Sequence, residues 1–158
     1  MKNLIKITTL LVCIFMISGC GSSSGSKTTT VCKHDDHIGT MSVDSTTTIE
    51  ASGDDITKQT IDVTYDCKDY VDQMDNYLTQ LKANDKTYDG IKGLTIKYTK
   101  KDTKLIVSYV IDVEKANLKT LKKKGLITSD SDDVDSISLK DTVKALKKND
   151  VTCKETKK

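Results

Sequence analysis

The chain contains no arginine, no proline and no tryptophan, and only one phenylalanine. Without arginine there is no planar guanidinium to clamp a carboxylate or phosphate through two parallel hydrogen bonds. Anions must be met by lysine or by hydroxyls. A surplus of positive charge is also missing. The 25 basic residues, all lysine, stand against 23 acidic ones. Lys2 and Lys6 belong to a segment expected to be removed, which brings the two signs level. That balance excludes the basic footprint of a nucleic-acid binder. No apolar run approaches the roughly 20 residues a membrane-spanning helix requires. No glycine-rich phosphate loop is present, and no Gly-x-Ser-x-Gly nucleophile turn. The catalytic inventory is therefore poor, and the expectation is a protein that is not an enzyme and carries no cofactor.

What is present begins with the first twenty residues. Lys2 and Lys6 lead into Ile7-Thr8-Thr9-Leu10-Leu11-Val12-Cys13-Ile14-Phe15-Met16-Ile17, which stops at Ser18-Gly19-Cys20. A basic start, a short apolar centre and small residues before a break mark an export signal. Ile17-Ser18-Gly19-Cys20 resembles a bacterial lipobox, which implies lipidation of Cys20 and removal of residues 1–19. An ordinary cleaved signal is the plainer alternative. Two or three acyl chains, at about 0.8 kcal/mol per buried CH2, hold a protein firmly to a bilayer. The expected location is the extracytoplasmic face of the cell membrane, with the membrane as the one definite partner. A monomer is expected, and the arginine-free, lysine-rich composition leans towards a Gram-positive cell.

Residues 21–30 hold no apolar side chain and much glycine and serine. They read as a flexible tether, spanning roughly 15–20 Å as a random coil. Residues 31–158 then form a single domain. Val31 to Lys33, Met41 to Glu50 and Ile56 to Tyr65 read as strands, the latter two by clear alternation. From Lys68 to Asp85 the period changes. Tyr70, Val71, Met74, Tyr77, Leu78 and Leu81 make one face of a helix, with Asp66 or Asp69 as its cap. Leu94 to Thr99 and Leu105 to Val113 read as a hairpin, with Leu105, Val107, Tyr109, Ile111 and Val113 facing the core. A short helix follows, ended by Gly125. Ser138 and Asp141 sit at the spacing of a capping box for a last helix. Val151 to Cys153 reads as a closing edge strand, and residues 154–158 as a frayed tail. The expected fold class is α+β, an antiparallel sheet with helices packed on one face.

Three cysteines remain in the mature domain. A Cys32–Cys153 bond would close a loop of about 120 residues and stabilise by somewhat under 5 kcal/mol in the chain-entropy model. Cys67 is then a lone thiol, half buried beside a strand end. Three free thiols are the alternative. His34-Asp35-Asp36-His37 is the most chemical-looking cluster. If it forms a turn, two imidazoles and two carboxylates converge as candidate ligands for a divalent metal such as zinc. A polar hairpin tip is the plainer reading. Asp130, Asp132, Asp133 and Asp135 offer alternating oxygen ligands, but lack the glycine and glutamate of a calcium loop. Lys119, Lys122, Lys123 and Lys124 form a basic run that suits anionic headgroups or plain solvent.

Two segments carry a family resemblance. They are Gly90-Ile91-Lys92-Gly93-Leu94-Thr95-Ile96-Lys97-Tyr98 and Tyr109-Val110-Ile111-Asp112-Val113-Glu114-Lys115-Ala116-Asn117-Leu118. Together with the lipobox and the element order over residues 41–126, they resemble the YehR-like small bacterial lipoproteins. That resemblance implies an α+β domain with no assigned molecular function. It supplies no catalytic or binding residues. The Cys32 and Cys153 pair looks like a feature of Gram-positive relatives, and the acidic loop at residues 128–136 departs from the short linker the family implies.

Overall fold

The computed structural model describes residues 25–127 and 134–157. Six strands form one antiparallel sheet: β1 (Lys27–Ile38), β2 (Met41–Ser52), β3 (Asp55–Asp66), β4 (Leu94–Lys101), β5 (Lys104–Asp112) and β6 (Thr152–Lys157). Their spatial order is β4-β5-β3-β2-β1-β6. Three helices, α1 (Met74–Asp85), α2 (Leu118–Lys123) and α3 (Leu139–Lys148), complete the single domain.

The three central strands are long because threonine, valine and isoleucine fill them and no proline interrupts the ladder. Register then decides which side chains meet. Thr30 pairs with Ile49, Ile49 with Gln59, Gln59 with Ile111 and Ile111 with Leu94. A row of core-facing residues thus crosses five strands. Beside it run Val43, Tyr65 and Leu105 at one end of the sheet and Ala51 and Ile56 at the other. Between Glu50 and Ala51 the register shifts by one residue, a bulge that leaves Thr57 unpaired with β2. The Thr57 carbonyl instead accepts from the Val113 amide at 2.9 Å.

Two clusters fill the core. One joins Ile49, Ala51, Ile56 and Ile111 to Leu118, Leu121, Ile127, Ile137 and Leu139 of the α2 and α3 segments. The other joins Val43, Val63, Leu105 and Val107 to Met74 and Leu81 of α1. Ile49, Met74 and Leu121 are fully buried, each worth about 1.5–3 kcal/mol relative to exposure.

Local signals explain the helix ends. The Asn117 side chain accepts from the Thr120 amide and starts α2, and Ser138 accepts from the Asp141 amide and starts α3. Gly125, at φ +72°, closes α2 as expected. Gly93 is needed twice over: its φ is +80°, and a Cβ there would lie 2.6 Å from the Ala116 Cα.

Several expectations are corrected. The expected single helix from Lys68 is broken. Lys68–Gln73 is a 3-10 segment with a non-helical Tyr70, and only Met74–Asp85 is α-helical. Val71, expected on the buried face, is 49 % exposed. Neither Asp66 nor Asp69 is the cap: Cys67 takes that position without a side-chain cap, and Asp66, one residue earlier, accepts from the Lys68 amide at 3.1 Å. Lys27 to Thr30, expected in the tether, are strand, because β2 and β6 flank them and their branched side chains suit a pleated surface. Lys154 to Lys157, expected as a frayed tail, are held in β6 by pairing with Thr28 to Val31. The signal segment, Cys20 and residues 21–24 lie outside the described residues.

Candidate functional site

Two features of the folded domain gather chemistry-bearing side chains. The first lies where α1 ends against the sheet. Asp85 follows Leu81 by four residues and so continues the buried face of α1. It is 2 % exposed. The Tyr98 hydroxyl of β4 donates to its Oδ2 at 2.7 Å, and the Tyr109 hydroxyl of β5 donates to both oxygens at 3.1 Å. Ile96 pairs with Tyr109 and Tyr98 with Val107, so the two tyrosines come from neighbouring strands on one face. Tyr65 lies in the same cluster.

Burial raises the Asp85 carboxyl above the ordinary aspartate range, and the two tyrosine hydrogen bonds pull it partly back. Burial, followed by the Asp85 charge, pushes Tyr65 up to about 12. Burial first, then the hydrogen bond to Asp85 and its charge, push Tyr98 and Tyr109 well above the ordinary phenol range. These phenols remain hydrogen-bond donors at any physiological pH. The arrangement ties the end of α1 to β4 and β5.

The second feature is a groove of about 780 Å³ between α3 and the β1–β6 edge. Its position follows from Asp54, in the turn between β2 and β3. The Asp54 carboxylate accepts from the Ser138 hydroxyl and the Lys140 amide, both at 2.8 Å. Its carbonyl accepts from the Leu139 amide at 2.7 Å. The start of α3 is thus fastened to a turn 84 residues earlier in the chain. Leu139, Thr142 and Ala145 point inward and are buried. Lys140, Lys144, Lys147 and Lys148 are exposed and line the groove, at helix steps that keep them on one side. Thr28 and Thr30 of β1 line it too, at 8 % and 2 % exposure, and neither hydroxyl has a hydrogen-bond partner among the described residues.

Cys32 and Cys153 sit opposite each other in the β1–β6 register and form a disulfide across 121 residues. Cys67 is free, and it is fully buried, not half buried, because it follows β3 into the core beside Met41. Burial raises its thiol, with Asp66 adding to the effect, so the reactive thiolate is disfavoured.

The histidine cluster does not form the turn that a metal site needs. His34, Asp35, Asp36 and His37 all lie inside β1, and the turn comes after Ile38. Successive strand residues face opposite sides, so His34 and Asp36 share one face and Asp35 and His37 the other. The two imidazoles therefore cannot meet on one ion. Among the described residues no group of three or more metal-ligating side chains is found. Of the acidic loop, Asp135 is described, whereas Asp130, Asp132 and Asp133 lie outside the described residues. Lys119, Lys122 and Lys123 lie on α2, and Lys124 caps its end. Sequence reading passed over Asp85 and Asp54. The signal for Asp85 was its place on the periodic face of α1. Nothing local marks Asp54, whose partners come from the far end of the chain.

Residues 35–152 match the family described as "Protein of unknown function (DUF1307)". The chain belongs to the DUF1307 family. That match runs from inside β1 to the first residue of β6, so the DUF1307 region takes in both core clusters and α3. An uncharacterized lipoprotein of Listeria monocytogenes is 30 % identical over 92 % of this chain and 94 % of its own length. One of Listeria innocua is 31 % identical over 93 % and 94 %. A protein from Streptococcus pneumoniae TIGR4, solved by NMR, overlaps 68 % of this chain and 70 % of its own with a TM-score of 0.46 at 16 % identity, too distant to bear on the DUF1307 site. Among the described residues no helix is long and apolar enough to cross a membrane.

Proposed function

We propose that this DUF1307 protein is a lipid-anchored envelope protein on the extracytoplasmic face of the membrane, and that its domain is a non-catalytic binding module. The observation that carries the reading is the shortness of the link: β1 begins at Lys27, seven residues after Cys20. Seven residues reach at most about 25 Å. An acyl group on Cys20 therefore holds the sheet close to the headgroups. The lipoprotein names of the Listeria relatives support the anchor.

The non-catalytic part rests on how the two most chemical groups are used. The Asp85 carboxylate is buried and occupied by two phenols, and the Cys67 thiol is buried with its thiolate disfavoured. Both are structural. The YehR-like resemblance and the covering of a single sheet face by all three helices belong to the same reading. The row of buried residues from Thr30 through Ile49 and Gln59 to Ile111, flanked by the half-buried Leu94, supports that covering.

Labelling with a palmitate analogue, followed by mass analysis of the N-terminal peptide, tests the anchor. The expected result is a lipidated Cys20 at the new N-terminus, with label and membrane association both lost in Cys20→Ala. An unmodified Cys20 in the membrane-bound protein would overturn the reading.

A further inference from the structure

The groove beside α3 has the wrong composition for an idle surface. Four lysines of one helix, Lys140, Lys144, Lys147 and Lys148, line it, and the lysines at the end of α2, Lys122 to Lys124, are not among its lining residues. Two carboxylates also line it. That of Asp54 is already engaged by Ser138 and Lys140, while Glu155 stands on β6. The amides of the first turn of α3 are taken by Asp54 and Ser138, so the ammonium groups, rather than the helix terminus, are what an anion would meet. Thr28 and Thr30 line the same groove, more than nine-tenths buried, and their hydroxyls have no partner among the described residues. A buried hydroxyl without a partner is a standing cost, relieved when a ligand oxygen arrives. With no arginine in the chain, lysines over hydroxyls are the means available for holding phosphate.

The groove's place in the fold names the occupant. Ser26 and Gly53 line it, and the chain enters β1 at this same end. Ser26 is six residues from Cys20, a reach of at most about 20 Å. We infer that the α3 groove seats the phosphate headgroup of an anionic membrane lipid and so orients the domain on the bilayer. The inference rests on the anchor proposed above.

The test uses the lipidated full-length protein reconstituted into phosphatidylglycerol or phosphatidylcholine vesicles. Lysine acylation rates are read residue by residue by mass spectrometry. Lys144 and Lys147 are expected to react about fivefold more slowly on phosphatidylglycerol, with the difference reduced by high salt. Lys123 and Lys124 of the α2 end are expected to react equally on both. In the double variant Lys144→Ala, Lys147→Ala, the protection of Lys140 and Lys148 is expected to fall. Thr30→Val, which keeps the side chain's shape, is expected to lower it with no loss of thermal stability.

Equal rates for Lys144 and Lys147 on the two lipids would overturn the inference. So would equal protection of Lys123 and Lys124, which would reveal a general attraction of cations to the surface. Protection on phosphatidylcholine by inorganic phosphate alone would assign the groove to a free anion and overturn the headgroup assignment. The mass of the N-terminal peptide in the same samples reports the lipid on Cys20. Failure of the anchor and failure of the groove are thus read separately.

Discussion

The two halves of the core are held by different forces. In the half near the start of β1, a disulfide joins β1 to β6, Asp54 fastens α3, and Ile49, Ala51 and Ile56 pack on α2 and α3. In the other half, α1 is held by Met74 and Leu81 and by one buried carboxylate between two phenols. The first half is stapled covalently and by capping hydrogen bonds, and its surface opens into a groove. The second holds a buried carboxyl whose proton the fold retains more tightly than the unfolded chain would. The contrast teaches that the covalent and capping constraints are gathered around the groove, which would pre-form the surface proposed above to bind.

The largest way to break the contrast is to remove the staple. Cys32→Ser with Cys153→Ser is expected to cost up to about 5 kcal/mol, because the bond closes a 121-residue loop. Denaturant unfolding measures it. A loss under about 1 kcal/mol would mean that the two halves are held alike.

Asp85→Ala is next. It strands the Tyr98 and Tyr109 hydroxyls at a partly buried site, and roughly 2–3 kcal/mol is expected. Asp85→Asn sharpens the test through pH. The folded state raises the Asp85 carboxyl, so the folded protein holds this proton more tightly than the unfolded chain. The resulting stabilisation is full below the unfolded pKa and is lost as pH rises through the higher folded value. Wild-type stability, relative to Asp85→Asn, is therefore expected to fall with rising pH across that acid window. Parallel stability profiles for the two proteins would refute the proton-linked description.

Smaller effects separate the halves further. Asp54→Ala is expected to cost about 1 kcal/mol, the worth of a helix cap, and to speed hydrogen exchange of the Leu139 to Asp141 amides while α1 is unaffected. Equal acceleration in α1 would mean that the halves are one cooperative unit. Thr30→Val is the smallest: removing an unpartnered buried hydroxyl is expected to be neutral or slightly stabilising. A loss above about 1 kcal/mol in Tm-derived stability would show that the hydroxyl is already engaged.

Much of the sheet was legible because alternation is a local property. Leu105, Val107, Tyr109 and Ile111 face the core as their period requires. The caps at Ser138 and Gly125 were equally plain, being set by residues within one turn. The tail and the supposed tether misled for one shared reason: Lys27 to Thr30 and Lys154 to Lys157 are ordered only by pairing with each other and with β2. The histidine cluster misled because spacing alone does not distinguish a turn, which gathers i and i+3, from a strand, which sets them on opposite faces. Tyr109 could be placed on a core-facing position, but not beside Asp85.

The residues alone determined the strand and helix periods, the helix caps and the lack of arginine, and they carry the resemblance to a lipobox, since each is decided by neighbours in the chain. Only the tertiary structure decided that Asp85 meets Tyr98 and Tyr109, that Asp54 holds α3, and that four lysines line one groove with two threonines whose buried hydroxyls lack partners among the described residues. Those are contacts between segments far apart in the chain. They are settled by strand order and register, which no stretch of sequence specifies by itself.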